Sequence, residues 1–189
     1  KIYVINNGIE LSPNKRKENK NIIRFCTVGK DTKAKNLDLF IKVALKLLKE
    51  HKKLHFNLCG RDLVMHSRIE NMVPDSYKSF FTFHGELNHI NNFFMDNDIY
   101  LSTSDSEGSP NAILEAMSFG LVVVATDVGG VGELIKHNYS GFLTPTNNVN
   151  QIFNFCNRLV SDKNLKRNIS KNAIAQINTY YSTKDMANK

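Results

Sequence analysis

A sequence signal for a helix that begins beside an acidic residue lies near the middle of this chain. Ser109 is a favoured N-cap residue, Pro110 suits the first helical position and Gly120 favours a stop, so we predict a helix over residues 110–119. The first turn of such a helix has amide groups without an intrahelical partner, and the helix dipole adds positive potential there. The start of this helix is therefore a candidate anion site, with free amides expected at Asn111, Ala112 and Ile113.

Two glutamates flank this helix start. Glu107 precedes the N-cap, where an acid either complements the helix dipole or contacts a ligand, and the sequence alone leaves both roles open. Glu115 follows Asn111 by four residues and therefore shares its face of the helix. Its neighbours are apolar, and burial of a carboxylate is costly unless hydrogen-bond donors meet it. A pair of ligand hydroxyls is one such set of donors.

The elements that position these residues alternate along the chain. Apolar runs at residues 22–28, 54–59, 80–83, 99–101, 121–125 and 142–143 predict strands, with a further short strand at residues 2–5. Leu37, Ile41, Ala44 and Leu48 repeat at helical spacing, and a second helical stripe begins at Ile90. Strands that are apolar throughout are typical of a parallel sheet covered on both faces. We therefore predict an α/β domain with a doubly wound, Rossmann-like parallel sheet.

The remaining segments complete a single domain over residues 1–189. Residues 12–21 are polar and predict a linker, while residues 149–160 and 163–180 predict two terminal helices. Ligands of doubly wound folds bind beyond the carboxyl ends of the strands. The loops to search are consequently residues 29–35, 60–62, 85–88, 102–110 and 126–132.

Composition narrows the class of protein. The chain has 189 residues, of which 25 are Lys or Arg and 18 are Asp or Glu, so the net charge of +7 favours an anionic partner. The longest uncharged apolar run, residues 116–126, is far shorter than the roughly 20 residues that span a bilayer, and we expect a soluble domain without a leader. Cys26, Cys59 and Cys156 have apolar neighbours and predict buried, reduced thiols in a cytosolic protein, with no disulfide or zinc site.

Several common motifs are absent. Gly29-Lys30 is not followed by Ser or Thr, so it is no P-loop, and Gly130-Val131-Gly132 lacks the third glycine of a dinucleotide fingerprint. The six histidines show no zinc-binding spacing and are expected at the surface or in hydrogen bonds. Residues 80–83 have no interleaved basic residues, which favours a core strand over a base-stacking surface.

The segment from Glu107 to Glu115, closed by Glu-Ala-Met, resembles the signature of the retaining glycosyltransferases of the GT-B fold, family 4. Residues 4–10 resemble the segment that begins the family's donor-binding domain, residues 25–39 its lysine loop, and residues 125–133 its glycine loop. The resemblance covers about residues 1–145 and extends through the terminal helices. It implies the C-terminal half of a GT-B fold with extra C-terminal helices.

The resemblance also implies roles for individual residues. Glu107 would contact hydroxyls of the transferred sugar, Glu115 would hold the ribose, and Lys30 and Lys35 would neutralise the leaving diphosphate. The donor-binding positions it implies are Gly29, the base-binding loop Gly85, Glu86 and Leu87, and the run Gly108, Ser109, Asn111, Ala112, Ile113 and Leu114. Four residues depart from the family pattern, namely Lys30 for a usual Arg, Asn36 for a common Gly, Asn6 for a common Pro, and Ser109 for a larger residue. These departures bear on sugar identity more than on reaction class.

The implied function is that of the donor half of a retaining, metal-independent, hexosyl-type glycosyltransferase that needs no cofactor. Its substrate would be a nucleoside-diphosphate sugar, and its glycan or lipid-linked acceptor would bind an N-terminal domain that 189 residues cannot include. The chain would be a fragment or one subunit of a split enzyme, inactive alone. The family suggests bacterial surface polysaccharide, lipopolysaccharide or O-antigen biosynthesis in the cytoplasm, with peripheral association at the inner face of the membrane in the full-length protein.

Two other classes of function stay open at this point. A non-catalytic nucleotide-sugar-binding or regulatory module would retain Glu115 but would not need Glu107. A nucleic-acid-binding protein would suit the net charge of +7. Its basic residues are, however, scattered along the chain instead of gathered in one segment with aromatic residues, and we therefore expect no nucleic acid as a partner.

Overall fold

The computed structural model describes residues 21–108 and 110–181. The predicted strand at residues 2–5, most of the predicted linker and Ser109 lie outside the described residues. One sheet of six parallel strands has the order β3-β2-β1-β4-β5-β6. The strands are β1 (Ile23–Val28), β2 (Leu54–Cys59), β3 (Phe81–Phe83), β4 (Ile99–Ser102), β5 (Val122–Thr126) and β6 (Gly141–Thr144). The predicted doubly wound α/β class is confirmed.

Helices connect successive strands. They are α1 (Leu37–Glu50), α2 (Arg68–Asn71), α3 (Ile90–Met95), α4 (Asn111–Ser118), α5 (Val131–Leu134), α6 (Val149–Ser161) and α7 (Lys163–Tyr180), with 3₁₀ turns at Lys33–Lys35 and Asp75–Phe80. The predicted terminal helices agree with α6 and α7 within one residue. No described helix is both long and apolar enough to cross a membrane.

Two apolar cores cover the two faces of the sheet. In β5, Val122 and Val124 belong to the core that contains α1 and α6, whereas Val123 and Ala125 belong to the core that contains α3 and α4. Successive side chains of a strand point to opposite faces, so a strand buried on both sides is apolar at every position. This is why apolar runs located the strands in the sequence. Helix α7 reaches both cores, through Ile169 on one side and residues 173 and 177 on the other.

Aromatic rings and thiols complete these cores. Phe56 stacks between Phe25 and Phe81 on the neighbouring strands, with ring centroids 5.1 and 5.2 Å apart. Phe80 ends a 3₁₀ turn instead of beginning β3, but Phe81 is buried, which confirms a core strand there. The three predicted thiols are free and buried, and burial raises the pKa of all of them: Cys26, Cys59 and Cys156.

Candidate functional site

The candidate site lies between β1 and β4, where the sheet stops growing towards β3 and begins to grow towards β6. In this strand order, β1 has β2 on one side and β4 on the other, and the crossovers on either side of this boundary run in opposite directions. The loops that leave the two carboxyl ends meet there, at the position where ligands of doubly wound folds usually bind. Both the predicted lysine loop and the predicted glutamate segment leave strands at this boundary.

Hydrogen bonds hold these two loops together. The amide of Asp105 donates to the carbonyl of Ala34 at 2.7 Å, and the hydroxyl of Thr103 lies 3.0 Å from the Asn36 carbonyl and 3.2 Å from that of Lys35. The order of the strands therefore brings together residues about 70 positions apart in the sequence.

An ion pair joins the two loops at the centre of the site. Lys35 Nζ lies 2.6 Å from Glu107 Oε1, and the Glu107 side chain is only 10% exposed while that of Lys35 is 30% exposed. The Ser104 hydroxyl donates to the same Glu107 oxygen at 2.7 Å, and the Thr126 hydroxyl donates to the Ser104 carbonyl at 2.5 Å. Two predicted catalytic residues thus lie in contact, and the carboxylate is held by donors from two directions.

Glycine permits the glycine loop to pack directly against Glu107. Gly129 has φ +53°, and a Cβ at this position would lie 2.0 Å from the backbone carbonyl oxygen of Glu107. A side chain is excluded on both grounds, since the left-handed conformation is unfavourable for other residues and no space is left. The loop after β5 therefore helps to fix the backbone of Glu107.

Asn36 explains one departure from the family pattern. Its backbone is left-handed, with φ 45° and ψ 51°, a conformation that Asn tolerates better than most residues other than Gly. Its side-chain oxygen accepts from the amide of Leu39 and so caps α1, and its side-chain nitrogen lies 3.1 Å from Asp105 Oδ1. Asn at this position keeps the turn that Gly would make and adds a bond to the opposite loop.

The other residues of the lysine loop take different positions. The Gly29 amide donates to the Cys59 carbonyl at 2.9 Å, which ties this loop to the end of β2. Lys30 is exposed, and Arg68 from α2 pairs with its neighbour Asp31 at 2.6 Å. The structure therefore leaves the Lys30 ammonium in solvent, while Lys35 is engaged.

Helix α4 begins one residue later than the sequence predicts. Its N-cap position is Pro110, which makes no side-chain cap, so the prediction of Pro110 as the first helical residue is wrong. The Pro110 carbonyl accepts from the amides of both Ile113 (3.0 Å) and Leu114 (3.3 Å). The expected free amide of Ile113 is therefore also wrong, because the first turn closes tightly on this carbonyl. The Ala112 amide donates to no group in the described part of the chain, Gly108 is exposed, and Gly120 ends the helix at φ +77° as predicted.

Glu115 occupies a different environment from Glu107. Its side chain is half-buried on α4, and this burial raises the pKa of the carboxyl group because it disfavours the charged form. Within residues 21–108 and 110–181, no side-chain donor contacts its carboxylate. The arrangement can accept hydrogen bonds from a ligand that reaches α4.

The predicted base-binding loop lies beside the end of β2. Gly85 has φ +65°, and its carbonyl accepts from the Gly60 amide at 2.8 Å. Glu86 forms an exposed ion pair with Arg61 at 3.2 Å, and Leu87 packs half-buried against one core. The loop is thus anchored by backbone contacts, with its acidic side chain directed to solvent.

Two site features were not predicted from the sequence. Ser104 and Thr103 contact the predicted residues through their hydroxyls, and the only sequence signal for them is the hydroxyl-bearing run directly after β4. Among the described residues, no cluster of three His, Cys, Asp or Glu side chains is suited to a metal ion.

Four of the six histidines make side-chain hydrogen bonds, as the sequence predicts: His51, His55, His84 and His137.

Comparison with protein-family models decides the family. The model described as "Glycosyl transferases group 1" matches residues 9–176, which is most of the chain and all of the site described above. The chain belongs to this family. As a group 1 glycosyltransferase chain, it is 30% identical over 179 residues to an Escherichia coli UDP-Gal:alpha-D-GlcNAc-diphosphoundecaprenol alpha-1,3-galactosyltransferase. The match covers 86% of this chain but 46% of that protein, so the chain spans about half the length of such relatives.

Solved structures share the fold of this group 1 glycosyltransferase chain. The C-terminal domain of LpcC from Francisella tularensis, a group 1 family protein, superposes with a TM-score of 0.80 at 25% identity, covering 93% of this chain and 100% of that one. S. aureus TarM, solved as a mutant with fondaparinux, alpha-GlcNAc-glycerol and UDP, gives a TM-score of 0.87 at 24% identity, covering 98% of this chain and 38% of that one. The predicted C-terminal half of a GT-B fold is confirmed.

Proposed function

We propose that this chain is the donor-binding half of a retaining glycosyltransferase that transfers a hexosyl group from a nucleoside-diphosphate sugar. The observation that carries the proposal is the Lys35–Glu107 pair at 2.6 Å, which joins the loops that leave the carboxyl ends of β1 and β4, just before the start of α4. A cation, a carboxylate and a helix start are the groups that a sugar diphosphate needs. UDP in the structure of TarM, which has the same fold, supports this class of ligand.

The proposed roles follow the positions of the side chains. Lys35 and Lys30 neutralise the diphosphate, Glu107 accepts from hydroxyls of the transferred sugar, and the half-buried Glu115 accepts from the ribose. The base lies against the loop from Gly85 to Leu87. The backbone at residues 29 and 108–114 lines the diphosphate and sugar, with the amides of Ile113 and Leu114 acting only through the helix dipole because both donate to Pro110.

Arrival of the donor would redistribute the Lys35–Glu107 pair. The diphosphate brings oxygens that compete for Lys35, while the sugar brings hydroxyl donors for Glu107. Ser104 keeps Glu107 in place during this exchange, since its 2.7 Å bond does not involve the lysine. Groups fixed in advance of the reaction lose little energy in reorganising, and such preorganisation is usually a large part of catalysis.

The reaction proposed is a substitution on one face of the sugar. The bond from the anomeric carbon to the phosphate oxygen breaks through an oxocarbenium-like state, and the acceptor hydroxyl forms its bond on the same face, which retains configuration. The acceptor proton passes to the departing phosphate, whose growing negative charge Lys35 stabilises. No side chain of this chain serves as a nucleophile in this scheme.

Donor binding by this chain is proposed to be independent of metal ions. Lysine charge and the α4 dipole supply the positive field that a cation would otherwise provide. Calorimetric titration of UDP with either EDTA or magnesium tests this directly, and equal affinities are expected. A large magnesium requirement would contradict the assignment of Lys30 and Lys35 to the diphosphate.

The proposed setting is assembly of bacterial surface polysaccharide, in the cytoplasm and at the inner face of its membrane. The E. coli relative carries a diphosphoundecaprenol acceptor in its name, which supports a lipid-linked acceptor here. The acceptor would bind the part of the enzyme that this chain does not span. We expect no turnover by the 189-residue chain alone, and robust turnover would contradict the proposal.

Ligand-observed NMR with a panel of UDP- and GDP-sugars is the first experiment. We expect saturable binding of at least one sugar nucleotide, and the absence of binding by every member would contradict the proposal. A non-catalytic sensing module would also bind, but it would not need Glu107. Turnover of the completed protein therefore separates the two functions: transfer that Glu107→Gln abolishes supports the enzyme, whereas donor binding without any transfer by the unmodified completed protein would favour the module.

A further inference from the structure

A second cleft lies at the opposite end of the sheet from the candidate site. It has a volume of about 900 Å³ and opens at the amino ends of β1 and β2, between the turn that joins α1 to β2 and the first half of α7. Its floor includes the apolar residues Ile23, Leu54 and Val160. Its charged lining residues are Glu50, Lys52, Lys53, Asp98, Lys163, Lys166, Arg167 and Lys171. We refer to it as the amino-end cleft.

Positive charge is concentrated in the amino-end cleft. Six of its lining residues are Lys or Arg and two are acidic, an excess of four in a chain whose whole excess is seven. One acid, Asp98, is already used: its side chain is 4% exposed and accepts from the Arg24 amide at 2.9 Å and from Lys166 Nζ at 3.4 Å. Among the described lining residues, this leaves Glu50 as the one carboxylate that is not paired with a lysine of the cleft.

Three lysines of the cleft have no carboxylate partner among the described residues. In the part of the chain that the structure describes, Lys53, Lys163 and Lys171 form no ion pair with a carboxylate. Like charges gathered around a concave surface with an apolar floor reinforce each other's potential. An anion that enters the cleft would therefore lower the electrostatic energy of the fold.

We propose that the amino-end cleft binds phosphate groups of a ligand other than the donor nucleotide. The donor loops leave the carboxyl ends of strands six residues long, which places the two sites about 20 Å apart. One diphosphate cannot occupy both. Lys and Arg are the side chains that bind phosphate oxygens, and about 900 Å³ is enough for a phosphorylated small molecule or a phospholipid headgroup.

The lining disfavours a nucleic-acid strand as the occupant. The cleft contains no Phe, Tyr or Trp among its described lining residues. Single-stranded nucleic acids bind mainly by stacking their bases on aromatic side chains along a basic groove. Phosphate ester chemistry without a base is therefore the better match to this surface.

NMR titration of the ¹⁵N-labelled chain tests the proposal. The related LpcC C-terminal domain was solved alone, which supports use of the isolated chain. Inorganic pyrophosphate should shift amide signals of the first half of α7 and the turn before β2 in a saturable manner. A chain with Lys163→Glu and Lys171→Glu should bind at the cleft about tenfold more weakly or worse. UDP binding, read from signals of residues 29–35, should be unchanged in this variant, so failure here is distinguishable from failure of the proposed function.

A matched variant controls for overall charge. Lys42→Glu with Lys49→Glu changes the net charge equally on exposed residues of α1 that do not line the cleft. Equal weakening of pyrophosphate binding in both double variants would overturn the proposal. The proposal would also fail if pyrophosphate shifted no amide signal at the cleft and the chain did not sediment with the anionic vesicles described below.

Vesicle sedimentation identifies the source of the phosphate. Vesicles of phosphatidylcholine mixed with phosphatidylglycerol are compared with pure phosphatidylcholine. Sedimentation with the anionic vesicles, lost in the cleft variant but not in the control, identifies a lipid headgroup. Pyrophosphate binding without sedimentation identifies a soluble phosphorylated ligand.

Discussion

Both ends of the parallel sheet have lysine side chains, but at the carboxyl end a lysine is paired with a carboxylate and at the amino end two lysines are not, within the described residues. At the carboxyl end, Lys35 lies 2.6 Å from a carboxylate that is itself held by Ser104. At the amino end, Lys163 and Lys171 have no carboxylate partner within the described residues. The first arrangement depends on positions fixed to a fraction of an ångström, while the second depends mainly on total charge. Substitutions at the carboxyl end should therefore have large, geometry-dependent effects.

The largest effect is expected for Glu107. In the completed enzyme, Glu107→Ala should lower kcat by about 10²–10³, because its contacts to the sugar strengthen as positive charge develops on the ring. The variant should bind UDP as well as the unmodified enzyme does, since UDP has no transferred sugar. Steady-state kinetics together with UDP calorimetry measures both quantities.

Asp96→Asn is the control for Glu107→Ala. It removes an exposed carboxylate at the end of α3, just before the amino end of β4 and so at the opposite end of this strand from the Glu107 loop, and should leave kcat unchanged. Equal loss in both variants would show that the Glu107 effect is one of net charge, and the contrast between the two ends of the sheet would fail.

A smaller effect is expected for Glu115. Glu115→Ala should weaken UDP and UDP-sugar equally, by about 1.5–3 kcal/mol, because a charged acceptor for two ribose hydroxyls is lost. Binding of pyrophosphate at the amino-end cleft should not change. If Glu115→Ala spares UDP while Glu107→Ala weakens it, the roles of the two glutamates are reversed.

Glycine packing at the carboxyl end can be tested through stability. Gly129→Ala should lower the free energy of unfolding by about 2 kcal/mol, because its Cβ would lie 2.0 Å from the Glu107 carbonyl and its φ is +53°. Gly108→Ala is the matched control, since nothing lies within 4 Å of an added Cβ there. Urea unfolding of both variants decides the point, and equal stabilities would mean that this loop is not tightly packed against Glu107.

The sequence predicts the strands of the sheet but not the side-chain contacts that distinguish its two ends. Apolar runs located all six described strands because each is buried on both faces. The short helices α2 and α5 were not predicted, since four residues make one turn and show no helical period. Glu107 and Glu115 were candidates because of the helix signal, whereas the roles of the two lysines came from a family resemblance. The Lys35–Glu107 contact itself spans 72 positions and depends on β1 lying beside β4.

The amino-end cleft could not be predicted from the sequence either. Its basic residues come from two separate stretches of chain, residues 52–53 just before β2 and residues 163–171 in α7. In the sequence they read as scattered charge. Only the packing of α7 beside the amino ends of the strands brings them to one surface, and no local pattern encodes that packing.

The smallest expected effect concerns the pH dependence of Glu115. Burial raises the pKa of this carboxyl group in the folded chain, so the folded state binds its proton more tightly than the unfolded state does. Stability contributed by this group is therefore fully present below its ordinary pKa and falls as the pH rises through the raised value. Glu115→Gln should accordingly raise the melting temperature slightly at neutral pH and not at pH values below the ordinary pKa of glutamate.

Thermal unfolding measured across this pH range, with Glu133→Gln as an exposed control on α5, tests this change in melting temperature directly.

UDP affinity should depend on pH in the opposite way to stability. The ribose hydroxyls need the ionised carboxylate as an acceptor, and protonation removes it. UDP binding should thus weaken as the pH falls through the raised pKa, and Glu115→Gln should bind weakly at every pH. A stabilisation by Glu115→Gln that does not depend on pH would show that desolvation of this carboxylate is not its cause, and a UDP affinity that Glu115→Gln leaves unchanged would show that Glu115 is not the ribose acceptor.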